Sequence, residues 1–107
     1  MIQLTVRQLA DLQASGQPLY LVDVRQPWEH ERVHLAGDVL VPLDQLSDAD
    51  DLIAPPPGAL VVAYCHHGIR SLSGAALLER MGHARVASLA GGIDRWSVEI
   101  DPSLPRY

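Results

Sequence analysis

One stretch sets most of what this chain can fold into. Ala59 to Tyr64 is a continuous apolar run with β-branched residues, and it reads as a buried strand. Further on, Gly74, Leu77, Leu78 and Met81 fall at helical spacing, so a helix packs back on that strand. Between the two lies a short turn holding Cys65, the only cysteine of the chain. Open α/β sheets place their chemistry at such a strand end. Helix-end amides favour an anion there, and a thiolate is one.

The rest of the chain limits the alternatives. Its 107 residues suit one compact domain, read here as residues 1–107, and are too few for two. The formal charge is −5 and there is no basic run, so nucleic acid is not expected as a partner. No apolar run approaches the roughly 20 residues of a membrane span, and Met1 to Thr5 lacks the pattern of a signal peptide. A cytoplasmic protein is expected. One cysteine forms no internal disulfide and supports no multi-cysteine zinc site.

Taken in order, Ile2 to Leu4 reads as a first strand. Thr5 and Gln8 have capping-box spacing ahead of a helix on Val6, Leu9 and Ala10, which Gly16 and Pro18 stop. Leu19 to Val24 is a second strand. Pro27 opens another helix, with Glu29 and Glu31 complementing its dipole. Val39 to Val41 is a short strand stopped by Pro42. Ser47 is expected to cap a short acidic helix from Asp48 to Ile53, and Pro55 to Gly58 forms a stiff loop. After the cysteine loop and its helix, Gly82 is a C-cap residue. Arg85 to Leu89 is the last strand, Gly91 and Gly92 a turn, and Ile93 to Val98 the last helix. The tail from Asp101 to Tyr107 is expected to be extended. Strands alternating with helices imply an α/β fold with a mainly parallel sheet.

The loop from Cys65 to Arg70 carries the chemistry. A loop curled round its first side chain points backbone N–H groups inward, which makes an anion-binding nest. Gly68 permits the tight path. Arg70 supplies a planar fork suited to an oxyanion, and Ser71 can cap the helix or offer its hydroxyl to the sulfur.

These segments together resemble the rhodanese-like sulfurtransferases. Leu21 to Arg25, with Pro27 and Glu29, resembles the family's early Asp-X-Arg strand motif. His34 to Gly37 and Val41 to Leu43 resemble its His-Ile-Pro-Gly-Ala segment, with Val33, Ala36 and Asp38 departing from the common Gly, Pro and Ala. Tyr64 to Ser71 resembles the active-site loop, and Leu89 to Trp96 the closing Gly-Gly-aromatic segment. The resemblance implies a five-stranded sheet flanked by helices on both faces. It implies that Cys65 takes a sulfane sulfur from a small anionic donor such as thiosulfate, holds it as a persulfide, and passes it to cyanide or a thiol, a protein acceptor included. No metal or organic cofactor is implied. Cys65 is then the nucleophile. The amides from His66 through Ile69 to Arg70 cradle the sulfur, and Arg70, His66 and His67 attract the donor.

Other residues receive plainer readings. Asp23 and Arg25 are read first as a pair tying loops together, with Arg25 also a candidate for contact with substrate. Trp28 and Trp96 are packing residues, and His34 is a structural hydrogen-bonder. Asp48, Asp50 and Asp51 form a solvated face without the pattern of a calcium loop. The competing functions are a persulfide carrier, a non-catalytic interaction module, and a cysteine phosphatase or arsenate reductase. Those last enzymes use loops with five residues between Cys and Arg, and this loop has four.

Overall fold

Each segment of the chain finds its partners at long range. A computed structural model describes residues 1–107. The elements are β1 (Ile2–Leu4), α1 (Val6–Ala14), β2 (Leu19–Asp23), α2 (Pro27–Arg32), β3 (Val39–Leu40), β4 (Leu60–Tyr64), α3 (Arg70–Arg80), β5 (Val86–Leu89) and α4 (Gly92–Glu99). The five strands form one sheet in the order β1-β5-β4-β2-β3, and every neighbouring pair is parallel. Parallel pairing puts all the carboxyl ends on one edge, so Asp23, Tyr64 and Leu89 finish side by side.

The central strand is apolar throughout because both of its faces are covered. Alternation sends Leu60, Val62 and Tyr64 to one face, with Val6 and Leu9 of α1 and Ile93 and Trp96 of α4. It sends Val61, Ala63 and Cys65 to the other, with Ala75 and Leu78 of α3. Helices therefore cover both faces, as expected. Cys65 continues the β4 alternation, which turns its side chain toward the helix that follows.

Local devices hold as the spacing predicts. Thr5 Oγ1 accepts from the Gln8 N–H at 3.1 Å, and Gln8 Oε1 accepts from the Thr5 N–H at 2.9 Å, closing the capping box. Pro27 sits in the first turn of α2. The segment before β4 differs from expectation. No α-helix runs from Asp48 to Ile53; two 3-10 segments, Leu43–Asp48 and Asp50–Leu52, take its place. Asp and Ser compete for backbone hydrogen bonds and disfavour helix interiors, and Pro55 to Pro57 leave no room for a second turn. No helix is long and apolar enough to cross a membrane.

Candidate active site

The loop after β4 closes around the Cys65 sulfur. Sγ accepts from the Gly68 N–H at 3.1 Å and from the Ser71 N–H at 3.4 Å. The Ser71 hydroxyl lies 3.6 Å from Sγ and 2.8 Å from Ser88 Oγ on β5. Helix α3 begins at Arg70 and has no side-chain oxygen cap. The sulfur stands in that place, accepting a first-turn amide as a capping oxygen does. Ser71 therefore acts through its own N–H as well as its hydroxyl. Of the amides expected to form the cradle, Gly68 is the one within the loop that reaches the sulfur. Ile69 is 76 % exposed.

Two glycine positions make this path possible. Gly68 has φ +97°, and a Cβ there would lie 2.8 Å from the Gly91 nitrogen. Gly92 has φ +60°, and a Cβ there would lie 2.5 Å from the Cys65 carbonyl oxygen. That approach lets the first turn of α4 hold the loop from behind. The Ile93 N–H donates to Cys65 O at 3.0 Å, and the Asp94 N–H donates to His66 O at 3.1 Å. The cysteine loop is thus gripped through its carbonyls by one helix while its sulfur faces the start of another.

The charged groups are paired away from the sulfur. Arg70 donates to both carboxylate oxygens of Glu29, at 2.6 and 2.8 Å. Glu29 is buried, and the Arg70 hydrogen bonds bring its pKa down to about 2, against the cost of burial. The fork expected to meet an oxyanion is therefore committed to a carboxylate. Arg25 is wholly buried and holds Asp23 through Nε and Nη2, each at 2.8 Å, while Nη2 also donates to Val33 O at 2.7 Å. Burial opposes the Arg25 charge, but the Asp23 and Tyr107 hydrogen bonds outweigh it and raise its pKa. Its role here is the loop-tying one. With Arg25 on Asp23 and Arg70 on Glu29, neither guanidinium is left facing the sulfur unpaired.

The tail packs back on this network after a turn at Asp101 to Leu104. The Tyr107 hydroxyl accepts from Arg25 Nη1 and donates to Glu29 Oε2, both at 2.7 Å. Its ring stacks on His66 with centroids 3.8 Å apart and planes within 4°. Trp28 meets the same ring edge-on. Arg106 holds Asp94 through two hydrogen bonds, at 2.9 and 3.1 Å. His66 is held below its ordinary pKa by burial first and by neighbouring His67 second. Its Nε2 is buried with no hydrogen-bond partner. The His67 side chain is 61 % exposed, with Nδ1 3.9 Å from Asp94. Trp96 is core, and Trp28 is largely exposed.

A second polar group lies beside the first. His30 and His34 stack, and their Nδ1 atoms approach Asp38 at 3.5 and 3.0 Å. These three side chains are placed to hold a divalent cation, though here His34 hydrogen-bonds Asp38 and His30 hydrogen-bonds Asp23 at 3.0 Å. Tyr64 donates to Asp38 at 2.5 Å.

Sequence reasoning missed Glu29 as the partner of Arg70, Tyr107 as the link between the ion pairs, and Ser88 behind Ser71. Glu29 carried one sign, an acid in a segment otherwise matched to a strand-end motif. Tyr107 and Ser88 carried none.

A rhodanese-like domain model matches residues 5–99. The probable adenylyltransferase/sulfurtransferase MoeZ of Mycobacterium tuberculosis is 34 % identical over 104 residues, which is 97 % of this chain and 26 % of MoeZ. This chain thus spans about a quarter of that relative. A rhodanese-like domain protein from Staphylococcus aureus superposes with TM-score 0.81 at 23 % identity, covering 100 % of this chain and 99 % of that one. The human single-domain sulfurtransferase TSTD1 superposes with TM-score 0.79 at 22 % identity, covering 92 % and 97 %.

Proposed function

This chain belongs to the rhodanese-like domain family, and we propose that it moves a sulfane sulfur through a persulfide on Cys65. The observation that carries the reading is the sulfur itself, buried at the start of α3 and accepting from the Gly68 and Ser71 amides. Those dipoles stabilise a thiolate, and then a persulfide, without reorganising. The sulfurtransferase activity in the name of its relative MoeZ supports the same chemistry.

The steps balance without a cofactor. The Cys65 thiolate attacks the outer sulfur of a donor such as thiosulfate. The donor's S–S bond breaks, and its electron pair leaves on sulfite. Cyanide or a thiolate then attacks the outer sulfur of the persulfide, and the electron pair of the second S–S bond returns to Cys65. Because Glu29 holds Arg70, recognition of the donor's charge falls to the backbone amides, with His67 exposed beside the loop. A carrier that delivers sulfur to a protein thiol uses the same steps with a larger acceptor.

The test is intact mass before and after thiosulfate, then after cyanide, beside Cys65→Ala. One added sulfur atom, removed by cyanide and absent in the variant, is expected. A free, alkylatable thiol that gains no sulfur from thiosulfate or 3-mercaptopyruvate would overturn the proposal.

A further inference from the structure

Tyr107 reaches the site through both its ring and its hydroxyl. Its ring covers one face of His66, the residue after the nucleophile. Its hydroxyl joins Arg25 to Glu29, and Glu29 holds Arg70 at the far end of the loop. One side chain thus braces the loop at both ends. Cys65, next to His66 in the chain, is 1 % exposed. A nucleophile so buried meets a bulky reactant only if a neighbour yields.

The neighbours differ in how firmly they are fixed. The loop is held by the Ile93 and Asp94 amides and by backbone contact at Gly68 and Gly92. Helices α3 and α4 are packed into the core. The tail has no strand partner. Its hydrogen bonds within Asp101 to Tyr107 are the local ones of Ser103 and Leu104 to Asp101. Beyond those, the Asp101 N–H donates to Trp96 O at 2.9 Å at the start of the tail, and the side chains of Leu104, Arg106 and Tyr107 tie down the rest. It is therefore the element that yields at least cost.

We propose that Tyr107 is a positioning and selectivity residue for Cys65: braced on His66 and Glu29, it lets small thiols reach the sulfur and makes a protein-borne thiol displace the tail. That the thiols it sorts are sulfur acceptors rests on the transfer reading. The sorting itself does not.

The experiment compares alkylation of unloaded Cys65 by iodoacetamide and by a polyethylene-glycol maleimide, in the parent and in Tyr107→Phe and Tyr107→Ala. In Tyr107→Ala, the bulky reagent is expected to react at least tenfold faster, and iodoacetamide less than threefold faster. Tyr107→Phe keeps the stack but loses the hydroxyl contacts with Glu29 and Arg25, and its rate with the bulky reagent is expected to fall between those of the parent and Tyr107→Ala. The His66 imidazole, followed by NMR titration, is expected to rise toward its ordinary value in Tyr107→Ala and to move less in Tyr107→Phe. Thermal melts establish that both variants are folded at the assay temperature. Equal acceleration of both reagents, or none, in a folded Tyr107→Ala would overturn the proposal. A chain that sorts alkylating agents but takes no sulfur from donors would overturn the transfer reading and leave the brace standing.

Discussion

The two edges of the sheet differ in kind. At the amino edge, a hollow of about 740 Å³ is lined by Leu4, Leu12, Leu19, Leu60 and neighbours, and it holds no nucleophile. At the carboxyl edge Cys65 is buried. Its surroundings are two amides aimed at a sulfur, two buried acids paired with two arginines, and a tyrosine joining the pairs. Room is not what sulfur chemistry needs. It needs dipoles fixed before the charge arrives, and parallel strands with helices starting beyond them put such dipoles at the carboxyl edge only.

Substitutions at the two edges put that contrast to the test. The largest effect is expected from Cys65→Ser, which should take sulfur loading, read by intact mass, to background while the fold melts much as before. Gly92→Ala comes next. A Cβ there meets the Cys65 carbonyl, in a backbone region costly to non-glycine residues. We expect a loss of about 1–3 kcal/mol in chemical denaturation, together with weaker sulfur loading. A variant as stable as the parent would show that α4 does not grip the loop tightly.

Glu29→Gln follows. The carboxyl titrates near pH 2 in the folded chain against an ordinary 4.5, so its stabilisation is complete above about pH 4.5 and is lost as pH falls toward 2. Allowing for solvent at Arg70, whose side chain is 38 % exposed, this amounts to roughly 2 kcal/mol. Melting temperatures between pH 2 and pH 7 should therefore fall less steeply in Glu29→Gln than in the parent. Parallel curves would remove Glu29 from the account. The smallest effect is expected at the amino edge. Ile2 lines the hollow and is 55 % exposed, so Ile2→Ala should change stability by no more than about 0.5 kcal/mol and leave loading unchanged. Lost loading there would break the contrast between the edges.

What could be read from the sequence divides along a related line. The strands, the capping box at Thr5 and the cysteine turn all rest on patterns a few residues long, and each appears where expected. The helix expected from Asp48 was wrong because competing Asp and Ser side chains and nearby prolines outweighed a cap signal. The charged network lay beyond reach for a different reason. Arg70 meets Glu29 across 41 positions, and Tyr107 meets Glu29 and Arg25 across 78 and 82. No periodicity encodes such pairings. An arginine at the end of an anion-binding loop invites the reading that it serves the anion. Only the folded chain shows a carboxylate already there.

The contact of Gly68 with Gly91, and of Gly92 with the Cys65 carbonyl, also bears on how such a protein could change its trade. The loop is bounded from two places in the chain, by the number of residues between Cys65 and Arg70 and by the bare backbone of the turn behind them. A longer loop, able to surround a tetrahedral oxyanion, would press on that turn unless it withdrew as well. An evolutionary path from sulfur to phosphorus therefore runs through paired changes, and either one alone leaves a misfitting neighbour.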